Sequence, residues 1–131
     1  MDQPPPLALH NVRTVRLGQG VADLCAGDLS AAGCRRVAVI TGRPIRSLCS
    51  GLEQALGAAG CAVLVIEASE GEPTIPELGT ALQAAREFGA DGIVGLGGGS
   101  AMDVAKLIAV LLDGSQQLSE IVGTDLVVGR N

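Results

Sequence analysis

Three consecutive glycines, Gly97, Gly98 and Gly99, follow the apolar run Gly92-Ile-Val-Gly-Leu96 and precede Ser100 and a long apolar segment ending near Leu112. No other feature constrains the chain as much. Glycines at a strand-to-helix junction let backbone approach a ligand without interference from a Cβ. The free N–H groups of the helix start, reinforced by the helix dipole, then favour an anion, typically a phosphate. In open parallel sheets ligands bind at the carboxyl ends of the strands, where this loop falls. The natural guest is a small-molecule phosphate or a dinucleotide.

The rest of the chain alternates in period. Val12, Val15 and Leu17 suggest a first strand ending at Gly18-Gln19-Gly20, and Val21, Leu24 and Leu29 a short helix with Gly33 past its end. Arg36-Val-Ala-Val-Ile-Thr41 is a compact apolar run of the kind buried on both faces of a sheet. Leu48, Leu52, Leu56 and Ala59 then repeat at helical spacing up to Gly60, and Ala62-Val-Leu-Val-Ile66 reads as a third strand. Ile75, Leu78, Leu82, Ala85 and Phe88 form the apolar stripe of another helix. Ile93 to Leu96 is the next strand, and the helix from about Ala101 to Leu112 is apolar on nearly all sides, hence expected to be buried. Strands alternating with helices of this length predict an α/β domain with a parallel sheet and flanking helices. The tail from Leu118 to Asn131 carries Ile121, Val122, Leu126, Val127 and Val128 without a closing element, and predicts an exposed patch or open sheet edge, with self-association or low stability.

Composition removes several chemistries. The 131 residues are 47% hydrophobic and carry a net charge of −5, which argues against disorder and against a basic nucleic-acid footprint. Phe88, the one aromatic residue, offers no platform for stacking bases. The longest uncharged stretch, Gln54 to Ile66, is 13 residues, too short to span a bilayer, and the start Met-Asp-Gln-Pro-Pro-Pro lacks the regions of a signal peptide; a cytoplasmic location is expected. His10 is the single histidine, so Ser-His-Asp triads and multi-histidine metal sites cannot be built within this chain. Cys25, Cys34, Cys49 and Cys61 form no CxxC and read as free thiols used in packing.

Better-known phosphate loops do not match. No Gly-Lys pair exists, so GxxxxGK[ST] is absent, and Lys106, the only lysine, lies two turns into the last helix. Gly95-Leu-Gly-Gly-Gly-Ser100 imitates GxGxxG but ends in serine and follows a late strand. Ser100 and Asp103 have a local reading as a capping box, and Asp103 with Lys106 one as an ordinary intrahelical pair. The functional reading rests on their setting, since a charged pair on a buried helix is costly unless it faces a cleft or a polar ligand.

The segment Gly97-Gly-Gly-Ser-Ala-Met-Asp-Val-Ala-Lys106 resembles the GGGSxxDxAK signature of the iron-containing (group III) alcohol dehydrogenases. Val15-Arg-Leu-Gly-Gln-Gly20, Arg36-Val-Ala-Val-Ile-Thr-Gly42, Glu72-Pro-Thr74 and Ala90-Asp-Gly-Ile-Val-Gly-Leu96 resemble further elements of the same family, so the likeness runs over about residues 12–125. Glycerol dehydrogenases usually carry lysine where Ser100 stands, dehydroquinate synthases continue differently after the glycines, and maleylacetate reductases usually lack aspartate at position 103.

The resemblance implies a Rossmann-like domain of the dehydroquinate synthase-like fold that binds NAD or NADP. In the family a helical C-terminal domain holds Fe2+ or another divalent metal through one aspartate and three histidines, and hydride passes between an alcohol or aldehyde and the nicotinamide. By that likeness Gly97, Gly98, Gly99 and Ser100 would cradle the pyrophosphate, and Asp103 and Lys106 would order the loop. Thr41, Gly42 and Arg43 would flank the adenosine end. NAD-preferring members often place aspartate where Gly42 stands. Its absence here, with Arg43 or Arg46 to attract a 2′-phosphate, tilts the expectation to NADP; alternatively Gly42 only makes the turn before Pro44. Glu72 stands where some members have asparagine near the cofactor.

Family members run well beyond this length and continue into a Pro-Thr-Thr-x-Gly-Thr segment and the metal-binding histidines. Residues 1–131 are therefore expected to be an incomplete cofactor domain without catalytic residues or metal, inactive alone, with a nicotinamide dinucleotide as partner and homo-oligomers possible. The alternatives are a stand-alone nucleotide- or phosphate-binding regulatory module, or a remnant whose loop binds nothing.

Overall fold

The computed structural model describes residues 12–123 and 126–128; His10 and the rest of the expected tail lie outside them. Three parallel strands form one sheet, β1 (Arg36–Gly42), β2 (Ala62–Ala68) and β3 (Gly92–Leu96), in the order β2-β1-β3. Four helices accompany them: α1 (Cys25–Ala31), α2 (Cys49–Ala58), α3 (Ile75–Phe88) and α4 (Gly99–Leu111). Central β1 is the most buried strand, with Val37 to Thr41 fully buried, because both its faces are covered. Ala38 and Ile40 face a core shared with Leu78, Ala81 and Ala85 of α3 and Val104 and Ile108 of α4. Val37 and Val39 face the other way, onto Ala26 of α1 and Cys49, Leu52 and Leu56 of α2. Period-two alternation along β1 thus divides the molecule into two apolar layers.

The registers Thr41↔Glu67, Gly42↔Ala68 and Thr41↔Leu96 bring all three strands to a common carboxyl end. At the opposite end Asp91 fastens β3 to β1. Its carboxylate accepts hydrogen bonds from the Arg35 and Arg36 backbone N–H groups at 2.8–3.0 Å. Partial burial pushes the Asp91 carboxyl up, but those N–H donors outweigh it and hold the group below its ordinary value. All four cysteines are free thiols in or beside the α1–α2 layer.

Three expectations are corrected. Residues 12–17 join no strand of the sheet; Leu17 is 91% exposed, and Arg16 instead pairs with Asp28 of α1. Alternating apolar residues make a strand only where a sheet edge accepts them, and no ladder reaches this segment. Leu48 is 69% exposed, because Pro44 helps set a tight 3-10 turn over Arg43–Leu48 and α2 starts only at Cys49. Cys49, Leu52 and Leu56, at helical spacing, then carry the buried face. Helix α4 is buried on one side only, through Ala101, Val104, Ala105, Ile108 and Leu111, while Met102, Asp103 and Lys106 face outward.

Candidate cofactor site

The site is built where the strands end. After β3 the chain enters Gly97 with φ +143, a conformation favouring glycine, and a Cβ there would come within 2.9 Å of Ile45 Cδ1. Gly98 is the N-cap of α4 and offers no side chain to its N–H groups. The first backbone bond of the helix runs from Met102 N–H to the Gly98 carbonyl at 3.1 Å, so the N–H groups before it lack an intrahelical acceptor. A Cβ on Gly98 or Gly99 would meet no atom within 4 Å, so this side of the loop opens into free space. Gly95, in β3 two residues before Gly97, serves packing instead. A Cβ there would stand 2.8 Å from Ala105 Cβ and 3.2 Å from Met102 Cα, where α4 crosses β3 closely.

The free space is a cleft of about 290 Å³ lined by Gly42, Pro44, Ile45, Ala68–Gly71 and Gly98–Ala101. Ser100, placed by the sequence pattern in a capping box, lies inside the first turn and caps nothing. Its hydroxyl donates to the Gly71 carbonyl at 2.8 Å and so ties the β2–α3 loop to the glycine loop. The capping box forms at α3 instead. There Thr74 Oγ1 accepts from Glu77 N–H and the Glu77 carboxylate accepts from Thr74 N–H at 2.8 Å. Hydrogen bonds from Ser69 and from Thr74 lower the Glu77 carboxyl from its ordinary value.

Thr41 is fully buried at the carboxyl end of β1, and its hydroxyl oxygen finds no hydrogen-bond partner. Such an orphan is costly in a core and is commonly met by water or a ligand. Gly42 has extended backbone (φ −85, ψ 145), and a Cβ there would make only an ordinary 3.7 Å contact with Pro44 Cδ. Its turn therefore does not demand glycine. Arg43 Nε donates to Glu67 Oε2 at 3.4 Å, and Arg46 Nη1 to Glu53 Oε1 at 2.7 Å, so both arginines already have carboxylate partners. Arg43, Glu67 and Glu70 line a polar depression that shares Ala68, Ser69 and Glu70 with the glycine-loop cleft.

Asp103 and Lys106 are not brought to the cleft. They form an i,i+3 pair at 3.4 Å with side chains 68% and 74% exposed. Lys106 borders a separate groove with Ile93, Gly95, Met102, Ala105 and Ala109. What the sequence reading missed is the contribution of the β2–α3 loop, above all Glu67, Ser69 and Glu70. The rule that ligands gather at strand carboxyl ends points to them once β2 is known to neighbour β1.

The family model for iron-containing alcohol dehydrogenases matches residues 13–130. The chain belongs to that family. Among its relatives, the sulfoacetaldehyde reductase of Bilophila wadsworthia is 37% identical over 76 residues, which is 58% of this chain and 20% of that protein. The 4-hydroxybutyrate dehydrogenase of Cupriavidus necator is 32% identical over 105 residues, 79% of this chain and 27% of the relative. Of the solved structures, the iron-containing alcohol dehydrogenase of Thermococcus thioreducens superposes with a TM-score of 0.70 at 28% identity, covering 79% of this chain and 28% of that one. The chain thus spans a fifth to just over a quarter of the length of these relatives. It has the α/β architecture of the N-terminal part of the family's proteins.

Two groups implied by the family are tested differently by these residues. A dinucleotide fits: Gly98 and Gly99 leave open space in the cleft at the start of α4; the buried Thr41 hydroxyl does not line that cleft. The metal does not fit. Among the described residues no group of three or more His, Cys, Asp or Glu could hold one. No described helix is long and apolar enough to cross a membrane.

Proposed function

We propose that residues 1–131 are the dinucleotide-binding portion of a metal-dependent alcohol dehydrogenase acting between an alcohol or aldehyde and a nicotinamide cofactor. The observation that carries this reading is the unobstructed backbone of Gly98 and Gly99 at the start of a 13-residue helix. Uncapped N–H groups and the positive end of the helix dipole attract the pyrophosphate there. Gly97 holds the turn that aims them, and Ser100 braces the opposite wall through Gly71. Gly42 borders the adenosine side, while Thr41, fully buried beneath it, supports the end of β1 from inside the core. Asp103 and Lys106 act at most indirectly, by stiffening the exposed face of α4. When bound, the nicotinamide supplies the hydride acceptor or donor.

The chain alone does not turn over, because a single histidine cannot supply the family's metal ligands. The sequence-based tilt toward NADP rested on Gly42 and two arginines. Gly42 still carries no repelling charge, but each arginine has a carboxylate beside it.

The test is a titration of the purified chain with NADH and with NADPH, followed by nicotinamide fluorescence, which no tryptophan obscures. Saturable binding that disappears in Gly98→Val supports the reading. Folded protein that binds neither dinucleotide overturns it.

A further inference from the structure

We propose that Glu67 is the residue that reads the 2′ position of the adenosine ribose, and that it makes this chain select NAD over NADP. The inference rests on the dinucleotide reading of the glycine loop and adds the specificity of its far end.

In dinucleotide folds an acidic side chain beyond a strand end accepts hydrogen bonds from the ribose hydroxyls and repels a 2′-phosphate. Position 42, at the end of β1, offers no side chain for this task, although its backbone would accept one. Glu67 lies one strand across, paired in register with Thr41. Neighbouring strands are about 4.8 Å apart, a gap a glutamate side chain spans. The structure fixes where its carboxylate lies: Oε2 is 3.4 Å from Nε of Arg43, the residue directly after Gly42. Glu67 thus sets a negative charge beside the Arg43 side chain, in the depression next to the cleft that Gly42 lines.

The surrounding charges favour a neutral diol over a phosphate. The depression beside the glycine-loop cleft holds Arg43, Glu67 and Glu70, two carboxylates against one guanidinium. The Arg43 side chain is 81% exposed and its contact is long, so it offsets Glu67 only weakly. A phosphate dianion placed there meets like charge, which binding sites use to reject a wrong ligand. Ala68, Ser69 and Glu70 line both depressions, so a ribose attached to a pyrophosphate at Gly98–Ser100 has a continuous path to Glu67.

The experiment is a parallel titration of the wild-type chain, Glu67→Gln and Arg43→Gln with NADH and with NADPH at one fixed salt concentration, each variant checked for folding by circular dichroism. The wild type binds NADH about tenfold more tightly than NADPH, the scale of one charge-assisted hydrogen bond. Glu67→Gln weakens NADH and strengthens NADPH, so that the preference collapses. Arg43→Gln keeps or enlarges the preference, because it removes the only cation in the depression. A wild type that prefers NADPH overturns the assignment. So does a Glu67→Gln ratio equal to the wild type's, or an Arg43→Gln variant whose preference collapses as that of Glu67→Gln is expected to. If the wild type binds neither dinucleotide, the cofactor reading itself fails and takes this inference with it.

Discussion

The Ser100 hydroxyl reaches across the cleft to the Gly71 carbonyl, 2.8 Å away and 29 residues back along the chain. This bond joins the glycine loop to the loop that follows β2, so the two walls of the cleft move together. Both groups are exposed to water, and breaking the bond costs little stability. Ser100→Ala is expected to change the melting free energy by less than about 1 kcal/mol. It should nevertheless weaken NADH binding several-fold, because the wall must be ordered at each binding event. Unchanged affinity in a fluorescence titration would remove the brace from the cofactor site.

Gly95 and Gly98 provide a matched contrast. Gly98→Val puts its side chain into open cleft on backbone that accepts any residue, so the protein stays folded and loses the dinucleotide. Gly95→Ala drives a methyl group into Ala105 and the Met102 backbone, and should cost about 1–3 kcal/mol. Thermal melts and titrations of the two variants separate the roles. A destabilised Gly98→Val with intact binding would reverse them.

Asp91 sets an acid limit. Its folded-state pKa lies below the ordinary value because the Arg36 and Arg35 N–H groups outweigh the effect of its partial burial. The stability it contributes is therefore complete above pH about 4 and is lost as pH falls through the lowered folded value. Glu77 acts in the same direction at the start of α3. Asp91→Asn should flatten part of the acid limb of a plot of melting temperature against pH. An acid limb identical to the wild type's would show that the charge at β1–β3 is immaterial.

The Asp103–Lys106 pair is a solvated contact, worth a few tenths of a kcal/mol on a helix surface. Asp103→Asn and Lys106→Gln should each leave the melting temperature nearly unchanged at moderate salt. A loss above about 1 kcal/mol in a denaturant titration would show that the pair supports more than its own helix face.

Exposed apolar side chains are spread over both ends of the described chain, including Val12, Val15, Leu17, Val122 and Leu126–Val128. Strands β2 and β3 both present sheet edges. Concentration-dependent association is the expected outcome in sedimentation velocity. A species that stays monomeric across the accessible concentration range would contradict it.

The legible parts of the fold are those where local pattern and burial agree. Val37–Ile40 announces a doubly covered strand because each residue on either face is apolar, and β1 is that strand. Gly33 and Gly60 follow helices in left-handed backbone, as glycines beyond an apolar stripe lead one to expect. The failures are equally specific. Ser100-x-x-Asp103 and Thr74-x-x-Glu77 look alike as strings, but only Thr74 occupies an N-cap; Gly98 takes that place at α4. Helix α4 reads as apolar all round, yet the sheet covers one side and leaves Asp103 in water.

By itself the sequence determined the alternation of strands and helices, the glycine loop, and the family to which both belong. These depend on periodicity, turn residues and a contiguous motif, all of which are local. The tertiary structure alone decided that β2 lies beside β1, that Ser100 holds Gly71, and that the Glu67 carboxylate meets the Arg43 side chain. Those relations join residues 24 to 29 positions apart, and strand order, which sets them, is decided by how the helices cover the sheet and not by any neighbouring residue.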